Sequence, residues 1–137
     1  MCGDGHRTSV SSVVVVVRIQ TPGHPRSMIC RMWHGWTSVA QADAYETLLR
    51  EEVFRGIASR LTAGFHGIEL LRRTTGDEVE FVTLMWFDSI DAIRAFAGPV
   101  YEQAVVPPAA RRLLARFDDR SSHFEVRVPG SAHGHAT

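Results

Sequence analysis

Three histidines, His34, His66 and His123, could move protons near neutral pH, because imidazole changes its charge in that range. The other four of the seven histidines lie in the terminal segments, at positions 6, 24, 133 and 135. His34, His66 and His123 are too widely separated for the short ligand spacings of metal sites. The sequence therefore predicts proton-transfer chemistry and no metal.

The composition excludes several classes of function. Fifteen arginines balance fifteen acidic residues, so nothing indicates a nucleic acid or a membrane surface as a partner. The chain has no lysine for Schiff-base chemistry, and no apolar run approaches the ~20 residues of a membrane helix. Cys2 falls in the N-terminal segment and Cys30 in a predicted strand, so we expect reduced thiols and a cytoplasmic location.

Composition also divides the chain into three parts. Residues 1–27 are rich in Gly, Ser, Thr and Pro around five consecutive valines, and are predicted to be a disordered or mis-assigned extension. An added edge strand at Val13–Ile19 is the alternative. Residues 28–128 form the predicted folded domain, and residues 129–137 a flexible tail.

The folded part reads as α+β, in the order β-α-β-β-α-β of a ferredoxin-like unit. The expected strands are 28–36, 68–73, 79–87 and 122–128, and the expected helices are 39–57 and 90–97. Residues 101–114 read as a broken helix interrupted by Pro107 and Pro108. Helices would cover one face of a four-stranded antiparallel sheet. Because the first and third strands are apolar on both faces, a second copy is expected to cover the other face.

Two local patterns connect this order to a known family. The first strand ends in Met32-Trp33-His34-Gly35, and the third runs through Trp86-Phe87-Asp88-Ser89 into a helix containing Phe96. With these patterns, residues 28–128 resemble the antibiotic biosynthesis monooxygenase family of dimeric α+β barrels. The resemblance implies a homodimer, a pocket between sheet and helices in each subunit, and oxygen chemistry without a cofactor. Haem degradation, known in one branch, is not expected, because no histidine occurs between His66 and His123.

The resemblance also implies which side chains face the pocket, since alternate residues of a strand point to opposite faces. His34 would be the catalytic base; His123 is a second candidate, with an interfacial hydrogen-bond cluster as its alternative role. The other predicted pocket residues are Cys30, Met32, Tyr45, Thr83, Met85, Phe87 and Phe96. The predicted dimer-interface residues are Arg31, Trp33, Leu84, Trp86, Glu125 and Arg127.

The expected function is therefore a cofactor-independent monooxygenase-like activity on a small aromatic compound of the phenolic or anthrone type, with molecular oxygen as co-substrate. Two alternatives stay open. One is a ligand-binding or stress-related dimeric barrel without turnover, favoured by the few polar groups on the pocket face. The other is an isomerase or cyclase of the same fold that uses His34 as acid and base.

Overall fold

The structure is a computed structural model that describes residues 15–20, 28–60 and 63–128. Six strands occur in this part of the chain: β1 Val15–Gln20, β2 Ile29–Ser38, β3 Phe65–Thr75, β4 Glu78–Phe87, β5 Arg116–Phe117 and β6 Ser122–Glu125. The α-helices are α1 Val39–Leu48, α2 Phe54–Arg60, α3 Ile90–Ala97 and α4 Pro108–Leu113. A π-helical turn, Leu49–Val53, joins α1 to α2 without a break.

The strands form one antiparallel sheet in the order β1-β3-β4-β2, and β5 and β6 both pair with the outer edge of β2. Apart from β1 and β5, this is the strand order of a ferredoxin-like unit, with β2, β3, β4 and β6 as its four strands. The α+β class and the antiparallel sheet are confirmed.

Several predicted boundaries change. The strand β1 corresponds to the alternative prediction of an added edge strand, and it pairs with β3 along all of its length. The remainder of residues 1–27, and the tail 129–137, lie outside the described residues. The proline prediction is wrong: Pro107 and Pro108 begin the helix α4 instead of interrupting one, because a missing N–H costs nothing in the first turn. The last strand ends at Glu125, earlier than predicted.

Serine caps fix where two helices begin. The Ser38 hydroxyl accepts a hydrogen bond from the Gln41 backbone N–H, and the Ser89 hydroxyl accepts one from the Ala92 N–H, both at 3.2 Å. Each cap satisfies a backbone donor that the helix itself leaves without a partner. The helix α1 therefore begins directly after β2, and two residues separate α3 from β4, so both fold back onto the same face of the sheet.

The core lies between that face and the helices. Tyr45, Leu49, Phe54 and Ile57 of the long helical segment are buried against Phe81 of β4 and its neighbours. The Tyr45 and Phe81 rings meet edge to face at 4.8 Å, a favourable aromatic geometry. Burial of each large side chain contributes about 1.5–3 kcal/mol. The long helical segment therefore packs on the sheet through one stripe of buried side chains.

None of the helices in the described ranges has the length and apolar character needed to cross a membrane.

Two glycines should respond oppositely to substitution by alanine. Gly64 has φ +78°, and a Cβ there would lie 2.7 Å from the Ala92 Cβ, so Gly64→Ala should lower the free energy of unfolding by about 1–3 kcal/mol. Gly56 lies in α2 with nothing near its missing Cβ, so Gly56→Ala should raise stability by about 0.5–1 kcal/mol. Urea denaturation measures both variants, and a neutral Gly64→Ala would contradict the packing of α3 against this loop.

Candidate functional site

The pairing of strands shows which side chains share a face of the sheet, since residues opposite each other point the same way. On β4, Val79, Phe81, Met85 and Phe87 are buried under the helices. Thr83 belongs to the same alternating set. The predicted orientation of this strand is therefore confirmed.

The predicted orientation of β2 is wrong. In the register, Arg31 lies opposite Met85 and Trp33 opposite Thr83, so both face the helices and not a partner subunit. Cys30, Met32 and His34 point to the other face of the sheet, which no helix covers; we call it the open face. Both alternating sets of β2 contain large apolar side chains, so hydrophobicity alone did not distinguish them.

The predicted orientation of β6 is also reversed. His123 lies opposite Arg31 and Glu125 opposite Ile29, on the helix side, whereas Phe124 lies opposite Cys30 on the open face. Phe124 is 52% exposed there, which is unusual for so large an apolar side chain.

A narrow cleft lies between the sheet and the helices, and we call it the helix-side cavity. Its volume is about 60 Å³. Four predicted pocket residues, Tyr45, Thr83, Met85 and Phe96, line it, and Phe87 packs against the Phe96 ring at 6.0 Å. The remaining lining residues are Arg31, Trp33, Leu49, Val53, Phe54, Ile57, Val105, Val106, Pro107, Ala110 and Ser121.

Arg31 is the charged group of this cavity, and only 3% of it is exposed. Its guanidinium donates hydrogen bonds to the carbonyl oxygens of Tyr101 and Gln103, and to the His123 Nε2 at 3.0 Å. Among the described residues, no carboxylate lies within 4 Å of it. Burial lowers the pKa of Arg31 to about 10. Within the described part of the chain, Arg31 is therefore a buried cation that neutral groups hold in place, without a carboxylate partner.

His123 positions this cation. Its Nε2 accepts from Arg31, and the Tyr101 ring lies edge-on to the imidazole at 5.2 Å. Burial, and then the adjacent Arg31 charge, lower the pKa of His123, although Glu102 opposes the shift. His123 is therefore neutral at pH 7 and acts as an acceptor for Arg31, not as part of the predicted cluster with Glu125 and Arg127.

Tyr45 adds a hydroxyl to the cavity wall. This side chain is 1% exposed, its hydroxyl makes no hydrogen bond within the described ranges, and burial raises its pKa. It is therefore a neutral donor. The π-helical turn follows directly after α1 and brings Leu49 and Val53 to the same cavity; such turns are frequent at functional sites.

His34 lies on the open face in a second arrangement. Its Nδ1 is 2.9 Å from the Glu80 Oε2, and the Arg73 Nε donates to the Glu80 Oε1 at 2.7 Å. Burial alone would raise the pKa of Glu80, but the hydrogen bonds from Arg73 and His34 outweigh it and lower that pKa. A concavity of about 300 Å³, which we call the open-face concavity, is lined by this cluster and by Met32, Leu71, Arg72 and Val82.

The remaining predicted residues are distributed as follows. Leu84 and Trp86 are partly exposed on the open face. Glu125 and Arg127 form an exposed ion pair at 3.4 Å. Burial raises the pKa of the Cys30 thiol to about 11, and Glu69 adds to the shift, so this cysteine is not a ready nucleophile.

No group of three or more potential metal ligands occurs among the residues that the structure describes. His66 forms its own pair with Asp88, with Nε2 and Oδ1 2.6 Å apart. Sequence reasoning missed the role of Arg31. One signal could have revealed it: Gly35 and Thr37 belong to the same alternating set of β2, and such small side chains are needed on a face that packs closely under helices.

No protein-family model matches the chain, and a search of curated proteins finds no significant match. The resemblance to the antibiotic biosynthesis monooxygenases accordingly stays a prediction.

The neutral His123 should make stability depend on pH. Below its ordinary pKa of 6.5 the unfolded chain takes up a proton that the folded chain does not, so stability falls as the pH falls through this value. The free energy of unfolding, measured in urea at pH 7.5 and at pH 6, should show a smaller decrease in His123→Gln than in the wild type. Ser122→Ala, an exposed neighbour in β6, serves as control. An unchanged pH dependence in His123→Gln would contradict the assignment.

Proposed function

We propose that this protein is a cofactor-independent monooxygenase that acts on a small phenolic or anthrone-type aromatic compound in the helix-side cavity. The observation that carries the proposal is Arg31, a buried cation at the wall of an otherwise largely apolar cleft. An enzyme of this kind must stabilise the anion of its substrate, and a fixed positive charge in a dry site does so strongly.

The electrostatics of Arg31 favour an anionic ligand. A guanidinium has five N–H donors, and three of them are used by Tyr101, Gln103 and His123. The other two make no hydrogen bond within the described ranges. A buried charge without an opposite partner destabilises a fold, and an anion bound at the remaining donors would remove that cost.

The aromatic surroundings suit a planar ligand. Phe96 lies under the guanidinium, with Cζ 5.4 Å from the ring centroid, and holds its orientation. Trp33, Met85 and Phe96 offer flat or deformable apolar surface on the sides of the cleft. The Tyr45 hydroxyl supplies a second hydrogen-bond donor.

In the proposed reaction, Arg31 lowers the pKa of the bound phenol or anthrone, so that its proton passes to water. The delocalised anion then transfers one electron to molecular oxygen, and the two radicals recombine to form a carbon–oxygen bond. Loss of water completes the step. With anthrone as substrate, its CH₂ group becomes C=O, so one oxygen atom enters the product and the other leaves as water. His34 has no part in this chemistry, because it lies on the opposite face of the sheet.

The cavity volume favours a second candidate function, binding of a ligand without turnover. A volume of about 60 Å³ holds roughly two water molecules, whereas ligand pockets usually measure about 300–1,000 Å³. A ring compound enters only if the segment 105–107 and Phe96 move apart. A protein that opens in this way only to bind an anion, without a reaction, would need the same cavity residues as the proposed oxygenase.

We also propose that the open face packs against the same face of a second copy to form the dimeric barrel. Cys30, Leu84 and Trp86 form the apolar centre of the contact, and Phe124 extends it. An isologous contact needs a surface that complements itself, and apolar side chains meet this condition. The contact that we propose is confined to this end of the open face, so the concavity beside His34 lies outside it.

The oxygenase proposal predicts uptake of oxygen with anthrone in the presence of a chelator. Arg31→Gln should lower the rate about ten- to hundredfold, because a hydrogen bond to a charged group contributes about 1.5–3 kcal/mol. Arg31→Lys keeps the charge and should retain part of the activity. Arg120→Gln, at a side chain 74% exposed in an ion pair with Glu102, is the matched control and should behave as the wild type.

Three outcomes are informative. Uptake that Arg31→Gln does not change would overturn the role of Arg31. Anthrone fluorescence measures binding. If anthrone binds but no oxygen is taken up, the ligand-binding alternative is supported. If no compound in a panel of phenols binds or supports oxygen uptake, the proposed site is refuted.

The dimer proposal predicts that the wild type sediments with twice the mass of one chain. Leu84→Glu should yield monomers, because it places a charge in the apolar centre of the open face. Val100→Glu is the control, since Val100 is 59% exposed outside this face. A wild-type monomer at micromolar concentration would contradict the barrel.

A further inference from the structure

The open face contains a histidine in the arrangement of a general base. Glu80 is held as a carboxylate by Arg73, and its second oxygen accepts the proton of the His34 Nδ1. This fixes the tautomer, so that the lone pair is on the Nε2. Within the described residues, the His34 Nε2 makes no hydrogen bond.

The surroundings of this nitrogen are suited to a ligand. The open-face concavity measures about 300 Å³, which lies at the lower end of the range for small-molecule pockets. Met32, Leu71 and Val82 make its walls apolar. The Trp36 ring lies 5.9 Å from the imidazole in a stacked orientation and limits its movement.

A second histidine–carboxylate pair in the chain shows what distinguishes the first. His66 and Asp88 are 2.6 Å apart, but the other ring nitrogen of His66, Nδ1, is buried and has no hydrogen-bond partner. His66 therefore cannot present a free lone pair to a ligand. The His34 side chain is 31% exposed beside the concavity, so its Nε2 is accessible to a ligand.

We propose that the open-face concavity is a proton-transfer site, in which the His34 Nε2 removes a proton from the C–H or O–H group of a small, largely apolar compound. Glu80 is a positioning residue: it orients the ring and stabilises the imidazolium that forms. If the proton returns at another atom of the same anion, the reaction is an isomerisation; if the anion expels a leaving group with its electron pair, it is an elimination. The site lies on the opposite face from the helix-side cavity and does not depend on the proposed oxygenase.

The probe for this activity is 5-nitrobenzisoxazole, a planar compound with one acidic C–H. A base takes this proton, the electrons of the C–H bond form a nitrile, and the N–O bond breaks to give a coloured phenolate. No other reactant is needed. The wild type should form product at least ten times faster than free imidazole at the same concentration, because the site holds base and substrate together.

Variants separate the base from its support. His34→Gln should fall to the background rate. Glu80→Gln should lower kcat more than it changes KM, and Glu80→Asp should restore part of kcat, which a purely structural effect would not produce. His66→Gln, at the matched histidine–carboxylate pair, should keep the wild-type rate.

A further variant tests the site without removing the dyad. Val82 lies opposite His34 in the register, so Val82→Trp fills the concavity while His34 and Glu80 remain. It should abolish the reaction with an unchanged circular dichroism spectrum. A wild-type rate equal to that of free imidazole, or a rate that survives both His34→Gln and Val82→Trp, would overturn the proposal.

Discussion

The pairing of β2 with β4 is the constraint on which the rest of the structure depends. All ten residues of β2 lie opposite residues of β4, in one continuous antiparallel register. A shift of one residue would exchange the two faces of the strand. It would expose Arg31 and bury His34. The whole distribution of charge between the two sides of the sheet is thus set by this one alignment.

The alignment is held by what each face can accommodate. Thr37 is completely buried and Gly35 also faces the helices, so only small side chains meet the helical layer there. A Cβ on Gly35 would lie 2.9 Å from atoms of Leu114 and Trp33. The other alternating set of β2 includes the large Trp36 side chain. This side chain lies on the open face, where the Arg116 guanidinium is 4.0 Å from the centre of its ring. Packing at one end of the strand therefore fixes where Arg31 lies at the other.

The two candidate sites use opposite electrostatic designs within one sheet. On the helix side a cation is desolvated and surrounded by neutral acceptors, which prepares the cavity for an anion. On the open face the charges of Arg73 and Glu80 compensate each other, and the His34 imidazole can accept a proton there. The first arrangement stabilises a charge that a ligand brings, and the second creates a charge only during a reaction.

The sequence by itself determined the elements: the strand and helix periods, the serine caps of α1 and α3, and the order of a ferredoxin-like unit. These features are local, and so are the preferences that produce them. The resemblance also implied the orientation of β4, which agrees with the burial of Phe81 and Phe87. Only the tertiary structure decided the orientation of β2 and β6, because both alternating sets of β2 carry large apolar residues and β2 meets its partner strands through long-range pairing. For that reason Arg31 and His34, three residues apart in β2, exchange their predicted places.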